Sequence, residues 1–217
     1  MIDIASQVNA IHRKVEQQPA ADGAGERVSV LLRRSYDTPI QEVWEAVTRP
    51  DRIRRWFMPI GGELRVGGSF QLDGNAGGQI LACEPPRLLR ASFGGPTSIV
   101  EVRLTSHGDS QTLLELEHTV PIEMAQSGAG ALWVGPGWDG ALLGLGLFLS
   151  GEAVGDPVAA ANSPQAQEFS RQSVSAWAAV VKDSGTATAE QLAAATEVSL
   201  AQFAPDQATA QPRQPGG

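Results

Sequence analysis

Apolar residues recur along this chain with two different periods, and the change of period divides it. Ile4, Val8, Ile11 and Val15 are spaced four, three and four apart, one stripe of a helix, and predict an amphipathic N-terminal helix over residues 1–17. The polar run QQPAADGAGE follows, and residues 18–26 read as a linker. From Arg27 the period shortens to two: Val28, Val30 and Leu32 alternate with polar neighbours and predict a strand. Thr38, Pro39 and Gln41 then supply a capping hydroxyl, a proline at the first helical position and a capping-box partner. The helix they open buries Ile40, Val43, Trp44 and Val47, and Pro50 ends it and starts a short second one, PDRIRRWF.

Strands dominate the next stretch. GELRV and SFQLD flank Gly67 and Gly68, which predicts a tight two-glycine hairpin. GGQILACE leads through Pro85 and Pro86 into RLLRASF, and TSIVEVRLTS leads through HGDS into QTLLELEHTV. In the last pair Val100, Val102, Leu104, Leu114 and Leu116 share the apolar parity, while Glu101, Arg103, Glu115 and Glu117 share the polar one. That is antiparallel sheet with one wet face. The most apolar passage is GWDGALLGLGLFLSG, residues 137–151. Its uninterrupted run between Asp139 and Glu152 is 12 residues, against the roughly 18 to 20 that span a bilayer, so it predicts a core helix and no membrane partner. Residues 153–204 read as a helical extension: Ser163 and Pro164 open one helix with Phe169, Ser173, Trp177 and Val181 on one face, and Thr188 with Gln191 caps another. Residues 205–217 read as a disordered tail.

Composition narrows the function classes. A length of 217 residues with 42% hydrophobic content supports a sizeable core. The net charge of −8 is the wrong sign for a nucleic-acid surface, so no nucleic-acid partner is expected. The single cysteine, Cys83, excludes an internal disulfide, and without a Cys/His cluster no metal and no cofactor is expected. The first residues, MIDIASQVNAIHRKVEQ, lack the apolar segment of a secretory signal, which leaves a cytoplasmic address as the expectation.

The order strand, helix pair, six strands, long helix resembles the helix-grip fold of the SRPBCC (START and birch-pollen-allergen) superfamily. TPIQEVWEAVTRPDRIRRWF, the Gly-Gly turn, ILACEPPRLLRASF, LLELEHTVP and GWDGALLGL look like its bacterial branch related to the heat-shock-protein ATPase activator homologue, over residues 27–152. The resemblance implies an α+β fold: a curved seven-stranded antiparallel sheet around a long C-terminal helix, with extra helices at both ends. It also implies a ligand cavity between sheet and helix. Two departures from the family pattern, Phe57 in the paired-aromatic position and the glycine-rich IEMAQSGAGALWVGP, fall where the entrance would lie.

On that reading a small or medium hydrophobic molecule is the expected partner. The expected lining is Trp56, Phe57, Phe70, Leu81, Phe93, Val102, Leu116, His118, Trp138, Leu142 and Leu145. His118 shares parity with Leu114 and Leu116 and so points inward, either as a general acid or base of a cyclase or isomerase or as a structural residue near Trp138. Cys83 falls on the inward parity with Leu81 and reads as a small buried hydrophobe. Arg49, Arg52, Arg54 and Arg55 form either an anion site or a solvated face shielding aromatic rings. Gly140, Gly144 and Gly146 each cost about 1 kcal/mol in a helix relative to alanine and predict close packing there, through Gly140 and Gly144 above all, or room for a ligand. Leu143 and Leu147, off the cavity face, call for an outer cover, from the terminal helices or from a second copy in a homodimer. Ligand binding, catalysis through His118 and a protein-interaction role like the chaperone contact of eukaryotic relatives all remain open on fold resemblance.

Overall fold

The computed structural model describes residues 3–20, 23, 25–152 and 155–205; the expected tail lies almost wholly outside them. Eight antiparallel strands form one curved sheet in the order β1 (His12–Pro19), β2 (Glu26–Tyr36), β8 (Gln111–Pro121), β7 (Ile99–His107), β6 (Leu88–Ser92), β5 (Gly77–Glu84), β4 (Ser69–Leu72), β3 (Ile60–Gly62). Helices α2 (Ile40–Thr48) and α3 (Pro50–Ile53) connect β2 to β3, the short α4 (Ile122–Ala125) follows β8, α5 (Ala131–Leu149) lies in the curve of the sheet, and the short α6 (Pro157–Ala161) precedes the two C-terminal helices. This is the expected α+β helix-grip architecture with one strand more than the sequence predicts.

The extra strand is β1, and it corrects the N-terminal prediction. Helix α1 (Ile4–Asn9) is short, and the chain is extended from His12 onward, paired with β2 from His12 opposite Arg33 to Pro19 opposite Glu26. The reason is arithmetic: a spacing of four keeps two residues on one face in either period, so Ile11 and Val15, both buried, satisfy a strand as well as a helix. In the strand, Arg13 joins them on the inward face. Within the expected linker 18–26, Gln18 and Pro19 thus belong to β1 and Glu26 to β2.

A second correction concerns the Gly-Gly turn. The strand entering this hairpin is Ile60–Gly62 rather than GELRV, and residues 63–68 form a longer loop before β4. Gly62 has φ +112°, and a Cβ there would lie 2.3 Å from the Ser69 carbonyl oxygen, so the close approach of the two strands requires glycine.

Helix α5 carries Pro136 in its interior, and Pro136 has no N–H to give the Leu132 carbonyl. Ser199 of α8 (Ala189–Phe203), fully buried, donates to that carbonyl at 2.7 Å instead. Helix α7 (Pro164–Ser184) lies beside it, with the Trp177 ring so close to Gly135 that a Cβ there would sit 2.5 Å from it. The segment Gly128–Leu149 is long and apolar enough to cross a bilayer by length and composition. Here the sheet lies on one side of it and α7 and α8 pack against it, and within this one chain Leu143 is buried while Leu147 stays half-buried beside Gln7 and Arg34.

The glycines of α5 divide. At Gly144 a Cβ would lie 2.7 Å from the Trp56 carbonyl oxygen, and at Gly146 it would lie 2.8 Å from the Arg34 guanidinium, so both mark close approaches. Gly140 has nothing within 4 Å of that position, which corrects the expectation of packing through it.

Candidate functional site

Between the curve of the sheet and α5 is a cavity of about 470 Å³. Its floor is Val100 and Val102 of β7, Leu114 and Leu116 of β8, and Ala141, Leu142 and Leu145 of α5. Five aromatic side chains stand around it: Trp56 and Phe57 just after α3, Phe70 on β4, Phe93 after β6, and Trp138 on α5. Leu64, Arg65 and Val66 of the β3–β4 loop are exposed and form the mouth with Cys83 and Pro85 at the end of β5.

The structure brings nine of the eleven expected lining residues to this cavity: Trp56, Phe57, Phe70, Phe93, Val102, Leu116, Trp138, Leu142 and Leu145. Leu81 is elsewhere, 39% exposed. The pairing of β5 with β6 shifts register between Ile80 and Ala82, and this irregularity carries Leu81 outward while Ile80 and Cys83, an odd spacing apart, both reach the wall. Cys83 is exposed at the mouth rather than buried, and partial desolvation raises its thiol pKa. Strict alternation cannot find Ile80. Val100 and Leu114 do lie on the apolar parity visible in the sequence, and the β3–β4 loop is masked there because GELRV reads as a strand.

His118 stands behind the wall and does not line it. Its Nδ1 accepts the indole N–H of Trp138 at 3.1 Å, and its Nε2 lies 2.8 Å from the Ser98 hydroxyl, which is also buried. An indole nitrogen donates and never accepts, so Nδ1 holds a lone pair and the ring proton of the neutral imidazole sits on Nε2, which donates to Ser98 Oγ. Burial pushes the His118 pKa down to about 4. A nitrogen that already carries its proton cannot take one from Ser98, so this pair is not arranged as a nucleophile and its base. Its geometric effect is to fix Trp138, whose ring centroid lies 5.2 Å from that of Phe93 and 5.9 Å from that of His118.

The next residue along the helix faces the other way. Asp139 is fully buried, and its Oδ2 accepts from Arg13 Nε at 2.8 Å, Ser173 Oγ at 2.5 Å and Trp177 Nε1 at 3.1 Å. Burial raises its pKa, opposed by the Arg13 charge and the three donors. Nothing in the sequence marks these four residues as a group, since they come from β1, α5 and α7.

Half of the arginine run is ion-paired: Arg49 pairs with Glu45 and Asp51, and Arg52 with Glu42 and Glu45. The Arg55 guanidinium lies 5.0 Å from the Phe148 ring centroid and that of Arg52 5.5 Å from it, so charged heads cover an aromatic ring, in keeping with the solvated-face reading.

Residues 37–146 match the family model described as activator of Hsp90 ATPase homolog 1-like protein. Among solved structures, the crystal structure of CalU16 from Micromonospora echinospora is 43% identical over 80% of this chain and 99% of its own, with a TM-score of 0.64. DynU16, described by its place in the dynemicin biosynthetic locus, is 28% identical over 58% of this chain and 48% of its own, with a TM-score of 0.50. EF2215 from Enterococcus faecalis, 17% identical over 82% of this chain and 95% of its own with a TM-score of 0.57, shares the fold. No curated protein matches. The fold built around α5, the motifs along residues 37–146 and the likeness to CalU16 agree: the chain belongs to the activator of Hsp90 ATPase homolog 1-like family, within the SRPBCC superfamily.

Proposed function

We propose that this protein binds a small or medium apolar molecule in the cavity between its sheet and α5. The observation that carries the reading is the wall itself: about 470 Å³ lined by aliphatic side chains and five aromatic rings, a volume within the range of small-molecule sites. Apolar surface removed from water contributes roughly 25 cal/mol per Å², so a ligand filling this space is held mainly by its area. The locus named for DynU16 supports a small-molecule occupant, and CalU16 extends the likeness across 80% of the chain. The test is native mass spectrometry of the purified protein combined with titration of an apolar fluorescent probe. Retention of a small molecule, or saturable uptake of one probe per chain, is the expected result; a protein that does neither overturns the proposal.

A further inference from the structure

The wall carries few polar side chains, and what each is bonded to restricts the ligand further than its apolar character does. Thr48 Oγ1 donates to the Trp44 carbonyl at 2.7 Å, the Trp56 indole to the Ala46 carbonyl at 2.9 Å, and the Trp138 indole to His118 at 3.1 Å. The three donor hydrogens are therefore committed inside the protein, and the strands of the floor commit their backbone to the sheet ladder. The remaining polar lining groups, Arg65 and Cys83, are both exposed at the mouth, where Arg65 also meets Glu63 at 2.8 Å. Among the described residues, then, the cavity wall inside the mouth offers a ligand no uncommitted side-chain donor, and the lone pairs of the Thr48 hydroxyl as its one side-chain acceptor, whereas the mouth offers a guanidinium, a thiol and water.

Resting on the cavity-binding reading above, we infer that the occupant is an aromatic-rich molecule polar at one end alone, with its unsubstituted end inserted against Leu116, Leu142 and Leu145 and its polar end at the mouth beside Arg65 and Cys83. The cavity thereby selects against oxygenated forms of the same skeleton. A hydroxyl carried inward against Leu116, Leu142 and Leu145, away from Thr48, loses its bonds to water and gains none in return, a penalty felt in full when no partner exists. A hydroxyl at the outer end keeps its hydration and costs little. The protein consequently distinguishes a skeleton oxygenated at one end from one oxygenated at both, and an oxygenase acting on the buried end would turn a ligand into a non-ligand.

Three probes of one shape test this with the full chain: trans-stilbene, para-hydroxystilbene and the stilbene hydroxylated at both para positions, each titrated by its own fluorescence. Protection of Cys83, the single cysteine, from alkylation by N-ethylmaleimide locates the bound probe. The first two are expected to bind within about threefold of each other and to slow alkylation, and the doubly hydroxylated one to bind about tenfold to a hundredfold more weakly. If all three bind equally and all protect Cys83, the cavity binds ligands but the inference of a one-ended ligand is wrong. If trans-stilbene fails to bind, or binds without protecting Cys83, the cavity-binding reading itself falls. Val102→Thr, nearly the same shape with a hydroxyl on the inner wall, is expected to narrow the gap between singly and doubly hydroxylated probes; a wider gap counts against the inference.

Discussion

At the scale of single residues, the sharpest expectations concern His118 and the glycines of α5. Because burial lowers the His118 pKa from 6.5 to about 4, the unfolded chain binds a proton between those values that the folded chain does not. The contribution is complete above pH 6.5 and is lost as pH falls to about 4, a swing of about 3 kcal/mol by the usual conversion. Urea unfolding of the native chain and His118→Phe at pH 7 and pH 4.5 is expected to show a steeper acid loss in the native chain. At pH 7 the variant should be less stable by about 1 to 3 kcal/mol, since the Trp138 indole loses its acceptor. It should nonetheless hold an apolar probe within about tenfold, because His118 stands behind the lining and most of the apolar wall is unchanged. Gly144→Ala should destabilise despite the better helix propensity of alanine, the new methyl lying 2.7 Å from a backbone oxygen, whereas Gly140→Ala, with nothing within 4 Å, should stabilise by up to about 1 kcal/mol. Thermal unfolding of the two variants checks the contrast.

At the scale of elements, two contacts decide how the ends of the chain attach. Ser199→Ala leaves the Leu132 carbonyl without the donor that Pro136 denies it and should cost about 1 to 3 kcal/mol. Arg13→Met strands the buried Asp139 carboxylate and should cost about 3 to 5 kcal/mol, while Arg13→Met combined with Asp139→Asn, a neutral side chain whose oxygen can still accept from Ser173 and Trp177, should recover part of that loss. A double-mutant cycle by denaturant unfolding measures both. Most elements were legible in the sequence because their signals have one interpretation: alternation from Val28 to Leu32, the capping residues at Ser163 and Thr188, and the two parities of β7 and β8. Thr38 marks the start of α2 less well than it promises: the cap position is Pro39, and no side chain caps that helix. Where a signal has two interpretations the sequence misleads. The spacing of Ile11 and Val15 fits both periods, and the register shift at Ile80 exchanges the faces of β5 without any mark in composition. The cavity was expected from the family resemblance and most of its lining from parity and aromatic positions, but the commitment of buried polar groups depends on partners distant in sequence, Trp138 on His118 and Asp139 on Arg13.

At the scale of the whole molecule, α5 is the wall of the cavity on one side and the core of the terminal extensions on the other. The apolar helix is therefore covered by α7 and α8, and covering it gives no reason for a second copy of the chain. A fragment limited to residues 26–152 would lack β1, α7 and α8 and uncover Leu143 and the ring-packed face at Gly135. It is expected to bind anilinonaphthalene sulfonate nonspecifically and to aggregate at concentrations where the full chain stays dispersed, as light scattering would record. Equal solubility of fragment and full chain would contradict this account of the extensions.

Trp138 and Asp139 are adjacent in sequence, and this has an evolutionary consequence. The helix cannot turn or slide to admit a differently shaped ligand without pulling Asp139 from Arg13, Ser173 and Trp177. Changes of specificity are thus channelled to the opposite wall, where Phe70, Ala91 and Val102 can alter volume without moving any backbone. A laboratory selection for bulkier ligands should accumulate substitutions at those sheet positions and leave the Arg13–Asp139 pair untouched, so that one wall of the site diversifies while the other stays fixed.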